Sequence, residues 1–178
     1  FYTHIIKLAT INKHNMKHFL CTIIFLTASI SSIAQEKTDV TVKSINGIID
    51  ELLDQITIEK GEKMDTIAIR NLFHPSAIFT VADVTNAETV SLNDFLILLK
   101  DPYYEQGYLE KEIHKVVDQY NGIAQVFQTF YGKDSEGAEE KGINSYQLTY
   151  YGDRWWIVSL LWTIESKSAG IPVKYGGE

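Results

Sequence analysis

The stretch "YLEKEIHKVVDQYNGIAQVFQTFY", residues 108–131, decides the fold. A run rich in β-branched and aromatic residues stands on each side of Asn121–Gly122. Asn-Gly is the strongest two-residue hairpin signal, because both turn positions need a positive φ that these residues tolerate. Two long antiparallel strands are therefore expected, over 107–120 and 123–131. Further runs at 143–151 and 155–165 extend them into a meander, with connections at the polar "KDSEGAEEKG" (133–142) and the tight turn Gly152–Asp153.

Upstream of the meander the period changes. Ile45, Ile48, Ile49, Leu52, Leu53 and Ile56 recur at three- and four-residue steps, which predicts an amphipathic helix stopped by Gly61. "EKMDTIAIRNLF" (62–73) predicts a second short helix with Met64, Ile67 and Leu72 on one side. "HPSAIFTVADV" (74–84) turns strand-like after its proline, and "TNAE" (85–88) would turn it back into a short strand at 89–90. Ser91 followed three residues later by Asp94 resembles a capping box and introduces the helix "LNDFLILLK" (92–100). Helices first and a long meander after them argue for an α+β domain, a strongly curved antiparallel sheet wrapped around two or three helices from the N-terminal half.

The first 34 residues have another character. Met16, Lys17 and His18 precede the apolar run 19–30, "FLCTIIFLTASI", and Ser32 and Ala34 occupy the small positions of a cleavage site. Residues 16–34 thus read as a secretory signal peptide. Its 12-residue apolar core is short of the roughly 20 residues a spanning helix needs, so no membrane span is expected after cleavage. Residues 1–15 read as a non-native upstream extension. What remains, 35–178, is long enough for one substantial core. Removing residues 1–34 takes away Lys7, Lys13 and Lys17 and no acid, so the net charge goes from −7 to −10. An acidic domain repels phosphate backbones, which makes nucleic acid a poor partner. The single cysteine, Cys21, leaves with the signal, and only His74 and His114 remain of five histidines. A secreted or periplasmic location is expected.

Three stretches together, "LFHPSAIFTV" (72–81), "KEIHKVVDQYNGIAQVFQTF" (111–130) and "KGINSYQLTYYGDRWWIVSLLW" (141–162), resemble the nuclear transport factor 2-like superfamily. That group includes ketosteroid isomerase, scytalone dehydratase and small polyketide cyclases, and the resemblance is strongest to a bacterial subgroup of small secreted proteins. It covers about 40–175. It implies a cone whose concave face, with the helices, encloses a pocket for an apolar or aromatic small molecule. It also implies that a homodimer through the sheet is a natural assembly. Gln125 stands where histidine is usual in that subgroup, Gln128 where serine is common, and Phe130–Tyr131 where tyrosine–glutamate is common.

Glu112 and His114 are the candidate catalytic pair. In a strand Glu110, Glu112, His114 and Val116 share one face, and Lys111, Ile113, Lys115 and Val117 the other. With the lysine face outside, Glu112 and His114 would point into the cone, where a carboxylate beside an imidazole can act as base and orienter. The alternative is a mutually satisfied structural pair or a solvated strand face. Glu-x-His supplies two metal ligands where zinc takes three or four, so no metal is expected. His74, before Pro75, is read as capping or packing. There is no G-x-S-x-G elbow, glycine-rich phosphate loop or dinucleotide fingerprint, and no cofactor is called for.

Candidate ligand-binding residues are Gln125, Asn144, Gln147, Tyr104 and Trp162. Asn144 is out of phase with Ser145 and Gln147, so one set or the other can face the pocket. Tyr103, Tyr104 and Tyr108 enter the meander beside Pro102 as ring-binding or acid groups, or simply as bridges between core and water. Trp155 and Trp156 must face opposite sides, one inside and one outside, with Arg154 able to stack on one of them. Three functions fit: a small-molecule-binding protein, a cofactor-free isomerase, cyclase or dehydratase, and a dimeric interaction module.

Overall fold

The computed structural model describes residues 41–101 and 104–178. The signal-like segment, Pro102 and Tyr103 lie outside the described residues.

Helix α1, Ile45–Ile56, begins at Ser44, whose hydroxyl accepts from the Gly47 N–H. Its apolar stripe buries Ile45, Ile48, Ile49, Leu52 and Leu53. The helix ends before Gly61: the chain leaves it at Thr57, and Ile58 forms an isolated bridge with Tyr108. Pairing with the sheet wins over another helical turn, and Gly61 serves in the turn beyond at φ +90°. Helix α2, Thr66–Arg70, is capped by Asp65. It buries Ile69, with Met64 and Leu72 close by, whereas Ile67 is 72% exposed and does not join that side. Helix α3, Leu92–Leu98, starts at Ser91, whose hydroxyl accepts from the Asp94 N–H as the capping pattern predicts.

The strands are β1 (Phe73–Ala82), β2 (Ala87–Ser91), β3 (Tyr108–Tyr120), β4 (Ile123–Asp134), β5 (Glu139–Tyr151) and β6 (Arg154–Ile164). They form one sheet in the order β2-β1-β6-β5-β4-β3. Every pairing is antiparallel except β1 with β6, which is parallel. The two-residue hairpins β3–β4 and β5–β6 turn at Asn121–Gly122 and Gly152–Asp153, all four residues having positive φ.

Three irregularities bend this sheet. The β3–β4 ladder passes from Glu112↔Phe130 to His114↔Thr129, skipping Ile113. The β5–β6 ladder passes from Gln147↔Ser159 to Leu148↔Ile157, skipping Val158. The β1–β6 register shifts between Phe73 and Ile78, around Pro75. An extra residue on one strand bends it and raises its local twist. Together these make the open, curved sheet of a cone, with α1 and α3 against its concave side. Phe73, Phe79 and Phe95 fill the narrow part, the last two stacked with centroids 4.0 Å apart.

The other side of the sheet is partly covered. Beyond β6 the chain turns back, and a short 3₁₀ turn, Val173–Tyr175, lies against β3 and β4. The Tyr175 ring stacks on Phe127 at 5.0 Å, and the Thr129 hydroxyl donates to the Tyr175 carbonyl. At the start of β6, Trp155 packs on the core while Trp156 stacks with Tyr151 and carries the Arg154 guanidinium 3.8 Å above its ring.

Candidate functional site

Strand parity builds the site. On β4 the even positions Ala124, Val126, Gln128 and Phe130 are buried on the concave side, and on β5 so are Asn144, Tyr146 and Leu148. The ladder opposes Glu110 to Gly132 and Glu112 to Phe130, which puts both carboxylates on the concave side. Past the skipped Ile113, the odd residues of β3 take over: Lys115 opposes Gln128 and Val117 opposes Val126. His114 opposes Thr129 and faces the convex side, where it packs beside Gly176 of the C-terminal segment.

The shared face expected of Glu112 and His114 therefore does not form, because the bulge between them inverts the alternation. Lys115, expected outside with Lys111, is on the inner side and only 12% exposed. Its ammonium lies 2.9 Å from the Glu112 carboxylate and 3.6 Å from Asp50 of α1. Glu112 also accepts from the Gln128 amide at 2.8 Å. It sits at the rim in a polar network rather than beside an imidazole.

The cavity lies deeper between helices and sheet. It encloses about 50 Å³, well below the roughly 300–1,000 Å³ of drug-sized ligand sites, and suits a molecule of few heavy atoms. Leu52 and Ile56 of α1, Phe95 and Leu99 at α3, and Leu160 and Trp162 of β6 supply apolar walls. Tyr104, Tyr108, Phe130 and Tyr146 add aromatic rings. Gly142 is required here: a Cβ at that position would lie 2.7 Å from the Phe130 ring and closer still to the Thr163 carbonyl.

Two carboxyl groups, Glu110 and Glu140, stand in this largely apolar setting. Glu110 Oε2 accepts from the Tyr108 hydroxyl at 2.9 Å, and Oε1 accepts from the Asn144 amide at 2.9 Å. Burial pushes the Glu110 carboxyl up to about 7, against the lowering effect of its bonds to Tyr108 and Asn144. The same burial, with the neighbouring Glu110 charge, raises the Tyr108 and Tyr146 phenols. Glu140 also lines the cavity, and burial raises its carboxyl. Behind the lining, Gln128 is fully buried; its carbonyl accepts from Tyr146 at 3.0 Å and from Asn144 at 3.3 Å.

Of the residues expected to bind ligand, Asn144, Tyr104 and Trp162 line this cavity. Gln125 and Gln147 face each other across β4 and β5 and line a separate, open groove with Tyr120 and Ile123. Gln125 donates to Ser145 at 2.8 Å, as a sheet-pinning residue would. Asn144 is the in-phase member of its strand. His74 accepts from the Ser76 backbone N–H at 3.2 Å in a local turn, outside the cavity. Glu110, two residues before Glu112, has the same strand parity, and that parity is the signal in the sequence that points to it.

A curved six-stranded sheet closed by helices over an internal cavity defines the nuclear transport factor 2-like (NTF2-like) cone fold. Solved structures share it: an NTF2-like protein with a cystatin-like fold from Novosphingobium aromaticivorans has a TM-score of 0.56 at 12% identity, covering 82% of this chain and 96% of that one. A candidate dehydratase from the NTF2-like family of Streptomyces avermitilis has a TM-score of 0.55 at 12% identity, covering 72% of this chain and 98% of that one. A candidate ketosteroid isomerase from Shewanella frigidimarina has a TM-score of 0.51 at 13% identity, covering 66% and 92%. At such identities the likeness is one of fold. No protein-family model matches the sequence, and no curated protein matches it significantly.

Proposed function

We propose that this chain is a secreted small-molecule-binding protein whose ligand sits in the cone cavity against Glu110 and Asn144. The observation that carries this reading is a carboxyl group, Glu110, held by two hydrogen bonds inside a largely apolar, aromatic cavity. A few convergent polar groups in an apolar recess are the usual composition of a ligand site. The signal-like residues 16–34 support secretion. Mass spectrometry of small molecules released from the purified full chain tests binding. A stoichiometric ligand, lost in Glu110→Gln, is the expected outcome. A chain that releases nothing and shows no saturable binding to a fragment library would end this reading.

One observation favours a second reading, cofactor-free proton transfer. A carboxyl raised to about 7 is matched to abstracting a proton near neutral pH, and Glu110, rather than Glu112, occupies the position for it. The candidate isomerase and candidate dehydratase among the similar folds support the same direction. Deuterium exchange into small ketones in heavy water tests it. Exchange should follow an ionisation near 7 and vanish in Glu110→Gln. Exchange unaffected by that change would remove Glu110 from the role.

A further inference from the structure

The polar side of the cavity is one-sided. Among the described residues its charged lining groups are Glu110 and Glu140, with no lysine, arginine or histidine. The donors around Glu110 are already committed. The Tyr108 hydroxyl donates to Glu110, the Asn144 amide to Glu110 and Gln128, and the Tyr146 hydroxyl to Gln128. Glu140 Oε1, by contrast, is buried and takes no hydrogen bond among the described residues. The carboxylates retain accepting capacity, since each oxygen offers two lone pairs and Glu110 uses one bond at each. Gly132 keeps the space between these acids open: a Cβ there would lie 3.1 Å from the Tyr108 hydroxyl and 3.4 Å from Glu140 Oε1. Aromatic rings cover the opposite walls, and ring faces attract cations.

We infer that the ligand of this cavity is a small organic cation, a protonated amine of a few heavy atoms, whose ammonium group lies between Glu110 and Glu140 while its alkyl part meets the aromatic and aliphatic walls. This rests on the cavity being a ligand site and specifies the class of ligand. An unsatisfied buried carboxylate oxygen is costly on its own, and an ammonium supplies both the donors and the compensating charge. A carboxylate ligand would bring a third acid into a site with no base among the described residues. A neutral alcohol would supply a single donor.

Binding is linked to protons. The groups facing Glu110 are Tyr108 on its own strand, Glu140 and Tyr146 on β5, and Tyr104 from the turn before β3; α1, α3 and β6 face it with apolar side chains. Burial favours protonated Glu110, and an ammonium beside it favours the carboxylate, so an amine binds with proton release.

The test uses three probes of one shape on the full chain: n-butylammonium, n-butanol and butyrate, titrated by amide chemical-shift changes. n-Butylammonium should bind at least about tenfold tighter than n-butanol at pH 8, in line with the greater strength of charge-assisted hydrogen bonds, and butyrate should not bind. Its affinity should rise by up to about tenfold from pH 6 to pH 8 as Glu110 ionises. Glu140→Gln and Glu110→Gln should each remove most of the preference for the cation. n-Butanol or butyrate binding as tightly as n-butylammonium overturns the inference and leaves a ligand site of different chemistry. Failure of all three probes overturns it too, and joins the fragment-library result against the cavity as a site.

Discussion

Glu112 and His114, two residues apart on one strand, lie on opposite faces of the sheet. The skipped Ile113 separates them: Glu112 belongs with Gln128 and Lys115 inside the cone, and His114 with Thr129 and Gly176 outside it. The acid that enters the cavity is Glu110, one strand repeat earlier. His114→Ala should therefore leave cavity binding of n-butylammonium within about twofold of the parent, since distant and unconnected sites act independently. Glu110→Gln should weaken it strongly. Loss of binding in His114→Ala, measured by the same titration, would contradict the separation of faces.

Gln128 is the hub behind the cavity. It is fully buried, donates to Glu112, and accepts from Tyr146 and Asn144. Gln128→Leu keeps the volume and strands those partners, so it should cost about 2–4 kcal/mol, the range for breaking a buried hydrogen-bond network. Urea unfolding should show a lower midpoint at unchanged slope. A loss below about 0.5 kcal/mol would show that water replaces the amide without penalty.

Stability should fall with rising pH across neutrality. The Glu110 carboxyl titrates at about 7 in the fold against 4.5 as its ordinary value. Between these values the folded protein binds the proton that the unfolded chain has released. The stabilisation is thus fully present below about 4.5 and is lost as pH rises through 7. Glu140, also raised, acts in the same direction. The expected loss from Glu110 is on the order of 2–3 kcal/mol, given 1.36 kcal/mol per pKa unit. Urea unfolding at pH 5 and pH 8.5 measures it, and Glu110→Gln should flatten most of the difference. A parent protein equally stable at both values would contradict the buried acid.

Gly142→Ala should destabilise by about 1–3 kcal/mol, as overpacking of a filled interior does. The added methyl meets both the Phe130 ring and the Thr163 carbonyl. Since Phe130 lines the cavity, the same substitution should also weaken n-butylammonium binding. Thermal denaturation with and without the probe separates the two effects. An unchanged melting temperature would show that the Phe130 ring moves aside freely.

What the chain discloses in sequence follows from locality. Asn121–Gly122 and Gly152–Asp153 announce their turns because few residues accept positive φ. The stripe from Ile45 to Leu53 announces α1 because one helix face must be apolar. The sequence leaves open whether Asn144 or the pair Ser145 and Gln147 faces the cavity, and the β4–β5 register puts Asn144 inside. The bulge at Ile113 has no such marker: an isoleucine in a strand looks the same whether the ladder counts it or skips it. Simple alternation therefore fails at this bulge, and with it the expected Glu112–His114 pairing. The contact of Glu110 with Asn144 depends on the register of β3 and β5 against β4, which no local pattern encodes. The parallel pairing of β1 with β6 is equally non-local.

The segment ending in Tyr175 and Gly176 has a consequence for assembly. It occupies the convex surface over β3 and β4, with Tyr175 on Phe127 and Gly176 against His114. A neighbouring molecule approaching that surface meets this strap before it meets the strands. The strap is thus a built-in spacer: partners shaped to accept Tyr175 gain a ready-made foothold, and those that need bare sheet must first peel it away.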